Sequence, residues 1–234
     1  MRRARAGVAA PVLLVAERQT AGRGRLGRLW ESTAQAGPAA DASLTFSIGL
    51  PLAPADWSGL SLAVGVSVAE SLDPAGEHRI GLKWPNDIWV NDRKLAGILI
   101  ETALPHAGGP AAQRYAVIGV GINIGARQAD GMRTPPAWLQ EFRPGLLPPQ
   151  VLADVAPPLV RNVLAFAVDG FAAFEQRFAA RDALRGREVT LSDGDRGFCE
   201  GVGPGGELRV KMATGLRSIT SSEVSVRPAE GAPR

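Results

Sequence analysis

The sequence predicts an α+β chain in which a β-sheet carries helices and a small all-β unit follows it. Three observations carry that prediction. Short apolar runs punctuated by Gly, Pro, Asn and Asp recur between residues 12 and 124. Two longer stretches, 57–72 and 150–178, have helical apolar patterning. From Gly186 onward the chain breaks into short strand patterns separated by turns rich in Gly, Asp and Ser.

Residues 12–16 read as a buried first strand. Pro11 precedes that short run and Glu17-Arg18 follow it at once, which argues against a signal peptide. Residues 35–41 are rich in Ala, Gly and Pro and read as a loop, and 43–50 as a strand. The stretch 57–72 is small and apolar nearly all round, the pattern of a buried helix, with Gly59 and Gly65 permitting close approach. Residues 80–84 form a strand, and 88–90 with 94–100 a hairpin about the Asn91-Asp92 turn. Another strand covers 115–124, and 125–149 is mostly loop with a short helix near 137–142. In the helix over 150–178, Gly170 and Pro157-Pro158 divide or delimit it. Strands at 188–191, 197–202, 207–212, 216–219 and 224–226 then build a small barrel packed on the main part.

At 234 residues and 45% hydrophobic content, the chain can form a packed core. A formal charge of +3 does not argue for non-specific nucleic-acid binding. The one cysteine, Cys199, allows no internal disulfide, which fits a reducing cytosol; it reads as a small residue packed in a strand. His78 and His106 lie in polar stretches and read as loop residues. No apolar run approaches the length of a membrane span.

Three segments carry chemistry. ERQTAGRGRLGRLW sets Arg23, Arg25 and Arg28 among Gly22, Gly24 and Gly27. Glycines admit a ligand close to the backbone, and guanidinium groups bind phosphate bidentately. Mutual repulsion of three arginines predicts a loop ordered by an anionic ligand. A solvated turn or an RGG-like nucleic-acid segment is the competing reading.

KWPNDIWVNDRKLAGILIE holds two of the three lysines, Lys83 and Lys94, beside Asn86-Asp87 in an apolar run. Strand alternation puts Lys94 on one face with Ala96, Ile98 and Ile100. There it meets a ligand anion or pairs with Asp87, and Asp87 is also a candidate magnesium ligand. A surface Asp87–Lys94 salt bridge accounts for the spacing equally well.

In YAVIGVGINIG, alternation puts Gly119, Gly121 and Asn123 on one face and Val120, Ile122 and Ile124 on the other. A flat ligand against the bare face would explain interior glycines; a bulge or a covering helix would too.

AERQTAGRGRLGRLW, KWPNDIWVNDRKLAGILIE and VIGVGINIG, in this order and spacing, closely resemble the biotin protein ligases over nearly the whole chain. The resemblance implies a class II aminoacyl-tRNA synthetase-like catalytic domain, a mixed β-sheet with helices over residues 1–184. An SH3-like barrel over 185–234 follows. It implies activation of biotin with ATP and Mg2+ to biotinyl-5′-AMP, then transfer to a lysine of a biotin carboxyl carrier domain. Lys94, Arg25 and Asp87 match catalytic positions, with Asp87 near the metal. Gln19, Gly22, Arg23, Gly24, Arg25 and Arg28 match biotin and adenylate contacts. Trp30 and Asn123 match residues at the adenine, Asn86 one near the phosphates, and Gly97, Gly119 and Gly121 the walls of the biotin slot. A cytoplasmic enzyme is implied, open to homodimer formation and without nucleic-acid or membrane partners.

The chain departs from the family's pattern in showing no Ser-Thr-Asn segment ahead of the glycine-arginine loop, a segment that the resemblance implies for part of the biotin pocket. No helix-turn-helix precedes the catalytic part. Two alternatives remain at this level: a lipoate- or octanoyl-transferring relative, and an inactive or regulatory binder of the adenylate.

Overall fold

The computed structural model describes residues 1–6, 10–27, 30, 43–78, 80–104, 113–127, 134–220 and 226–228. The 35–41 loop, Arg28 and His106 lie outside them. The first half runs α1 (Arg2–Arg5), β1 (Val12–Ala16), β2 (Ser43–Leu52), α2 (Leu60–Leu72), β3 (Gly81–Lys83), β4 (Asp87–Val90), β5 (Arg93–Ala103) and β6 (Arg114–Asn123). These strands form one sheet in the order β1-β2-β6-β5-β4-β3, each pair antiparallel. Isolated parallel bridges join Leu82 to Asp182 and Lys94 to Pro136.

Alternation gives the sheet two faces. Leu44, Phe46 and Ile48 of β2 and Ile118, Val120 and Ile122 of β6 are buried in the core with α2 and with α3 (Pro148–Asp169). Each fully buried branched aliphatic contributes on the order of 1.5–3 kcal/mol. The opposite face carries Thr45, Ser47, Gly119 and Gly121, and a cavity lies there.

The helix expected over 57–72 starts at Leu60, with Gly59 as its left-handed N-cap (φ 79°). As its composition implies, α2 is buried almost all round. The hairpin turn also forms as expected, with Asn91 (φ 50°) and Asp92 (φ 60°) both left-handed.

Four expectations are corrected. β1 is not a buried strand: it is the sheet's outer strand, and Leu13, Leu14 and Val15 are 49, 47 and 51% exposed. Pro157-Pro158 do not divide α3. The carbonyls left without amide partners, Ala153 and Asp154, sit on its exposed face, open to solvent. Gly170 does end the helix; a 3-10 turn (Phe171–Phe174) and α4 (Glu175–Ala179) follow. The helix near 137–142 shrinks to a 3-10 turn at Leu139–Glu141. Finally, α3 is long and apolar enough to cross a membrane by length and composition. In this fold its stripe of Val151, Val155, Leu159, Val163 and Phe166 is packed in the core.

The C-terminal strands are β7 (Glu188–Leu191), β8 (Arg196–Val202), β9 (Leu208–Met212), β10 (Gly215–Ile219) and β11 (Val226–Pro228). They form a second antiparallel sheet, ordered β10-β9-β8-β7-β11, as expected of a small SH3-like unit. Its Val189, Leu208 and Val210 belong to the same continuous core as the large sheet. Cys199 is packed in β8; burial first, then the charge of Asp182, pushes its thiol up to about 12. The native thiol is therefore expected to resist an aryl disulfide reagent at mildly alkaline pH and to react only in denaturant. Rapid labelling of the folded protein would contradict that packing.

Candidate active site

A cavity of about 320 Å3 opens on the exposed face of the large sheet. Three segments meet there. The glycine-arginine loop contributes Gln19, Arg23, Gly24, Arg25 and, after a closing turn, Trp30. The β3–β4 corner brings Lys83, Asn86 and Asp87. The floor is β5 and β6, with Lys94, Gly97, Gly119 and Gly121.

The loop closes on itself because the Trp30 amide donates to the Gly22 carbonyl at 3.0 Å. Gly22 itself does not line the cavity. A Cβ there would stand 2.1 Å from the Trp30 carbonyl oxygen, so only glycine fits the closure. The two described arginines diverge. Arg25 donates to Asn86 Oδ1 at 3.3 Å, tying the loop to the β3–β4 corner. Arg23 is largely exposed and reaches Glu101 only at 3.9 Å, a weak surface pair.

Lys94 reaches the cavity by a route that alternation does not predict. β4 and β5 slip in register: Ile88 faces Ala96, but Trp89 faces Lys94, leaving Leu95 as an extra residue. Such a bulge reverses alternation. Lys94 therefore leaves the face of Ala96 and Ile98 and joins Gly97 on the cavity side, while Leu95 is fully buried. A Cβ on Gly97 would meet Lys94 Cε and Nζ at 3.2 Å. Lys94 Nζ donates to Asp87 Oδ1 at 2.6 Å. The Asp87–Lys94 pair is thus real, but it forms in the wall of the cavity.

The glycine face of β6 behaves as its pattern implies. Trp30 lies against it, and a Cβ on Gly121 would sit 2.4 Å from the indole ring. Lys94 and Arg127 flank that ring at 6.0 and 5.8 Å. Arg127 also bonds Ser43 Oγ. Asn123 is not on the cavity lining. Its amide Nδ2 donates to the Lys94 carbonyl (3.0 Å) and the Ala137 carbonyl (2.9 Å), clamping the lysine's backbone. Its Oδ1 is buried without a hydrogen-bond partner among the described residues.

Gly121→Ala is expected to push Trp30 off the wall and shift the indole emission relative to the parent; an unchanged emission spectrum would contradict that contact.

Residue-level reading missed Lys83, Glu101 and Arg127. Lys83 was visible in the motif, and its burial beside Trp89 (5.3 Å) is explained by a cation–π contact. Glu101 and Arg127 carry no local signal; only the fold brings them to the cavity and to Trp30.

A family model for the biotin/lipoate A/B protein ligase family matches residues 5–123. The chain belongs to that family. Among relatives, it is 32% identical to a biotin–[acetyl-CoA-carboxylase] ligase of Paracoccus denitrificans, over 93% of this chain and 91% of that one. It is 35% identical to the bifunctional ligase/repressor BirA of Escherichia coli K12, over 92% of this chain but 66% of that protein. A biotin protein ligase from Aquifex aeolicus, solved in complex with biotin and ATP, superposes with a TM-score of 0.75. That match has 29% identity and covers 93% of this chain and 89% of that one. The family model ends before the second small sheet; the likeness to the Aquifex aeolicus structure, over 93% of this chain, extends to it.

Proposed function

We propose that the chain is a biotin protein ligase that joins biotin to ATP and passes it to a carrier lysine. The carrying observation is the paired Lys94 and Asp87 with Arg25–Asn86 beside a floor of bare glycine backbone. Glycine walls suit a flat, uncharged bicycle, and the cations suit the point where a carboxylate meets a phosphate.

In the first step a carboxylate oxygen of biotin attacks the α-phosphorus of ATP. The bond to the bridging oxygen breaks, and pyrophosphate leaves with the electron pair. Two anions must approach each other. Lys94 and Arg25 hold them and offset the charge that grows in the transition state. Asn123 fixes the Lys94 backbone.

In the second step a neutral carrier amine attacks the acyl carbon, and AMP leaves. Asp87 accepts the proton lost from that amine, besides orienting Lys94. Asp87→Ala protein that still transferred from supplied biotinyl-5′-AMP at the normal rate would remove it from that role.

Asp87 is a single carboxylate, and no cluster of three metal-ligating side chains occurs among the described residues. That fits Mg2+ arriving on the substrate phosphates with one protein carboxylate, since the ion keeps most of its waters. Bound there, it would supply charge neutralisation to the leaving pyrophosphate. The finer reading includes a division into units at 184/185, a carrier domain of a biotin-dependent carboxylase, and a cytoplasmic protein open to homodimer formation. It includes no nucleic-acid or membrane partner.

The test is ATP–pyrophosphate exchange by the purified chain with biotin and, separately, lipoate. Exchange with biotin alone is expected. Exchange with lipoate alone would move the chain to the other branch of its family, and exchange with neither would overturn the catalytic reading.

A further inference from the structure

Beyond the shared apolar core, two polar contacts among the described residues tie the small C-terminal sheet to the segment that carries Asp87 and Lys94. The first is Trp84, which is 1% exposed. Its indole Nε1 donates to the carbonyl of Gly206 at 3.1 Å, 122 positions away. Gly206 sits in the turn between β8 and β9, with φ at +79°. That turn is wedged against the start of α2: a Cβ on Gly206 would stand 2.8 Å from Gly59 Cα and 3.2 Å from Leu62 Cδ1. It cannot slide inward. Two residues beyond Trp84 stands Asn86, which receives Arg25 and donates to the Ile98 carbonyl at 2.8 Å. Asp87 follows.

The second contact is at the other end of the same hairpin. Arg187 Nη1 meets Asp92 Oδ1 at 2.6 Å, and the guanidinium is only 15% exposed. Arg187 is anchored in the small sheet because its carbonyl accepts the Cys199 amide at 2.9 Å. Asp92 is a turn residue, two positions before Lys94. Between the two contacts, Leu82 is held on both sides by the connecting chain: its amide donates to the Arg181 carbonyl at 2.7 Å and its carbonyl accepts the Ala183 amide at 3.0 Å.

We infer that the C-terminal sheet is a positioning element for adenylation, pinning the Asp87–Lys94 hairpin at Trp84 through Gly206 and at Asp92 through Arg187. This inference rests on the proposed function, because the reaction gives the hairpin its purpose. Neither Trp84 nor Arg187 needs to touch substrate. Each fixes an end of a four-residue strand, β4, and the bulge beside it, so that Lys94 Nζ and Asp87 stay within 2.6 Å on the cavity wall. A displacement of about 1 Å at such a group costs on the order of a hundredfold in rate.

The test uses the full chain with Trp84→Phe, Arg187→Met, both together, and Arg187→Lys. Trp84→Phe keeps the aromatic ring and removes the donor; Arg187→Lys keeps the charge. Each severed pin is expected to lower kcat for biotin-dependent exchange about tenfold. The double variant should lose more than either, with the KM for biotin little changed. Arg187→Lys should recover most of the rate. Amide hydrogen exchange across residues 86–98 should rise in the severed variants and return in Arg187→Lys. A double variant with kcat within about twofold of the parent, or one whose loss only matches its unfolded fraction, overturns the inference. If the parent chain catalyses no exchange, the functional reading fails by itself. The hydrogen-exchange arm then decides the pins, and unchanged protection across 86–98 overturns them.

Discussion

Lys94→Ala is expected to reduce biotin-dependent ATP–pyrophosphate exchange by about a hundredfold or more. The lysine is held at three points. Asp87 fixes its ammonium at 2.6 Å, Asn123 fixes its carbonyl, and the Pro135 carbonyl accepts its amide at 2.8 Å. A group held this firmly needs no reorganisation when charge develops at the phosphate, which is the condition under which one donor counts most. Lys94→Arg should not restore the rate. A guanidinium is a planar fork and not a compact point charge, so it does not put one donor where the Lys94 ammonium meets Asp87. Exchange kinetics and biotin titration together check this. A variant with kcat within a few-fold of the parent would remove Lys94 from the transition state.

Lys94 also marks where sequence reading stops. Its motif, its neighbour Asp87 and the Asn91-Asp92 turn were all legible, since turn chemistry and hydrophobic runs are local. Its face was not. One extra residue, Leu95, inverted the alternation on which the reading depended, and a bulge leaves no mark in composition. The outward exposure of β1 failed for a related reason. Val12–Ala16 is as apolar as a central strand, and only the sheet order puts it on the outside. Glycines were read better. Gly119 and Gly121 signalled a bare face because an interior strand glycine is unfavourable without a reason, and at Gly121 the reason proved to be Trp30. Least legible were the long-range pins. Nothing near Trp84 points to Gly206, and nothing near Asp92 points to Arg187, because those contacts exist only once two sheets share one core.

The largest expected loss of stability lies away from the cavity, at Asp73. Its carboxylate is 2% exposed and follows the end of α2. It accepts the amides of His78 at 3.3 Å and Ile80 at 3.4 Å, and Arg181 reaches it at 3.5 Å. Arg181 also donates to the Asp73 carbonyl at 2.7 Å and the Ile80 carbonyl at 3.2 Å. The cluster therefore joins the end of α2, the start of β3 and the segment leading to the small sheet. Burial alone would raise the Asp73 carboxyl. The two amide hydrogen bonds and the Arg181 charge outweigh burial and hold it below its usual 3.8. A carboxyl depressed in the folded state stabilises above the unfolded value, and that contribution is lost as pH falls through the folded one. Asp73→Ala leaves a nearly buried guanidinium uncompensated and two amides without an acceptor. Breaking a buried pair in this way costs about 3–5 kcal/mol. Urea unfolding at neutral pH should show that loss as a lower midpoint. The difference between Asp73→Ala and the parent should narrow as pH falls below the unfolded carboxyl's 3.8 and through its lower folded value. A gap that stayed constant into the acid range would mean that the side chain stabilises by packing, with no contribution from its charge.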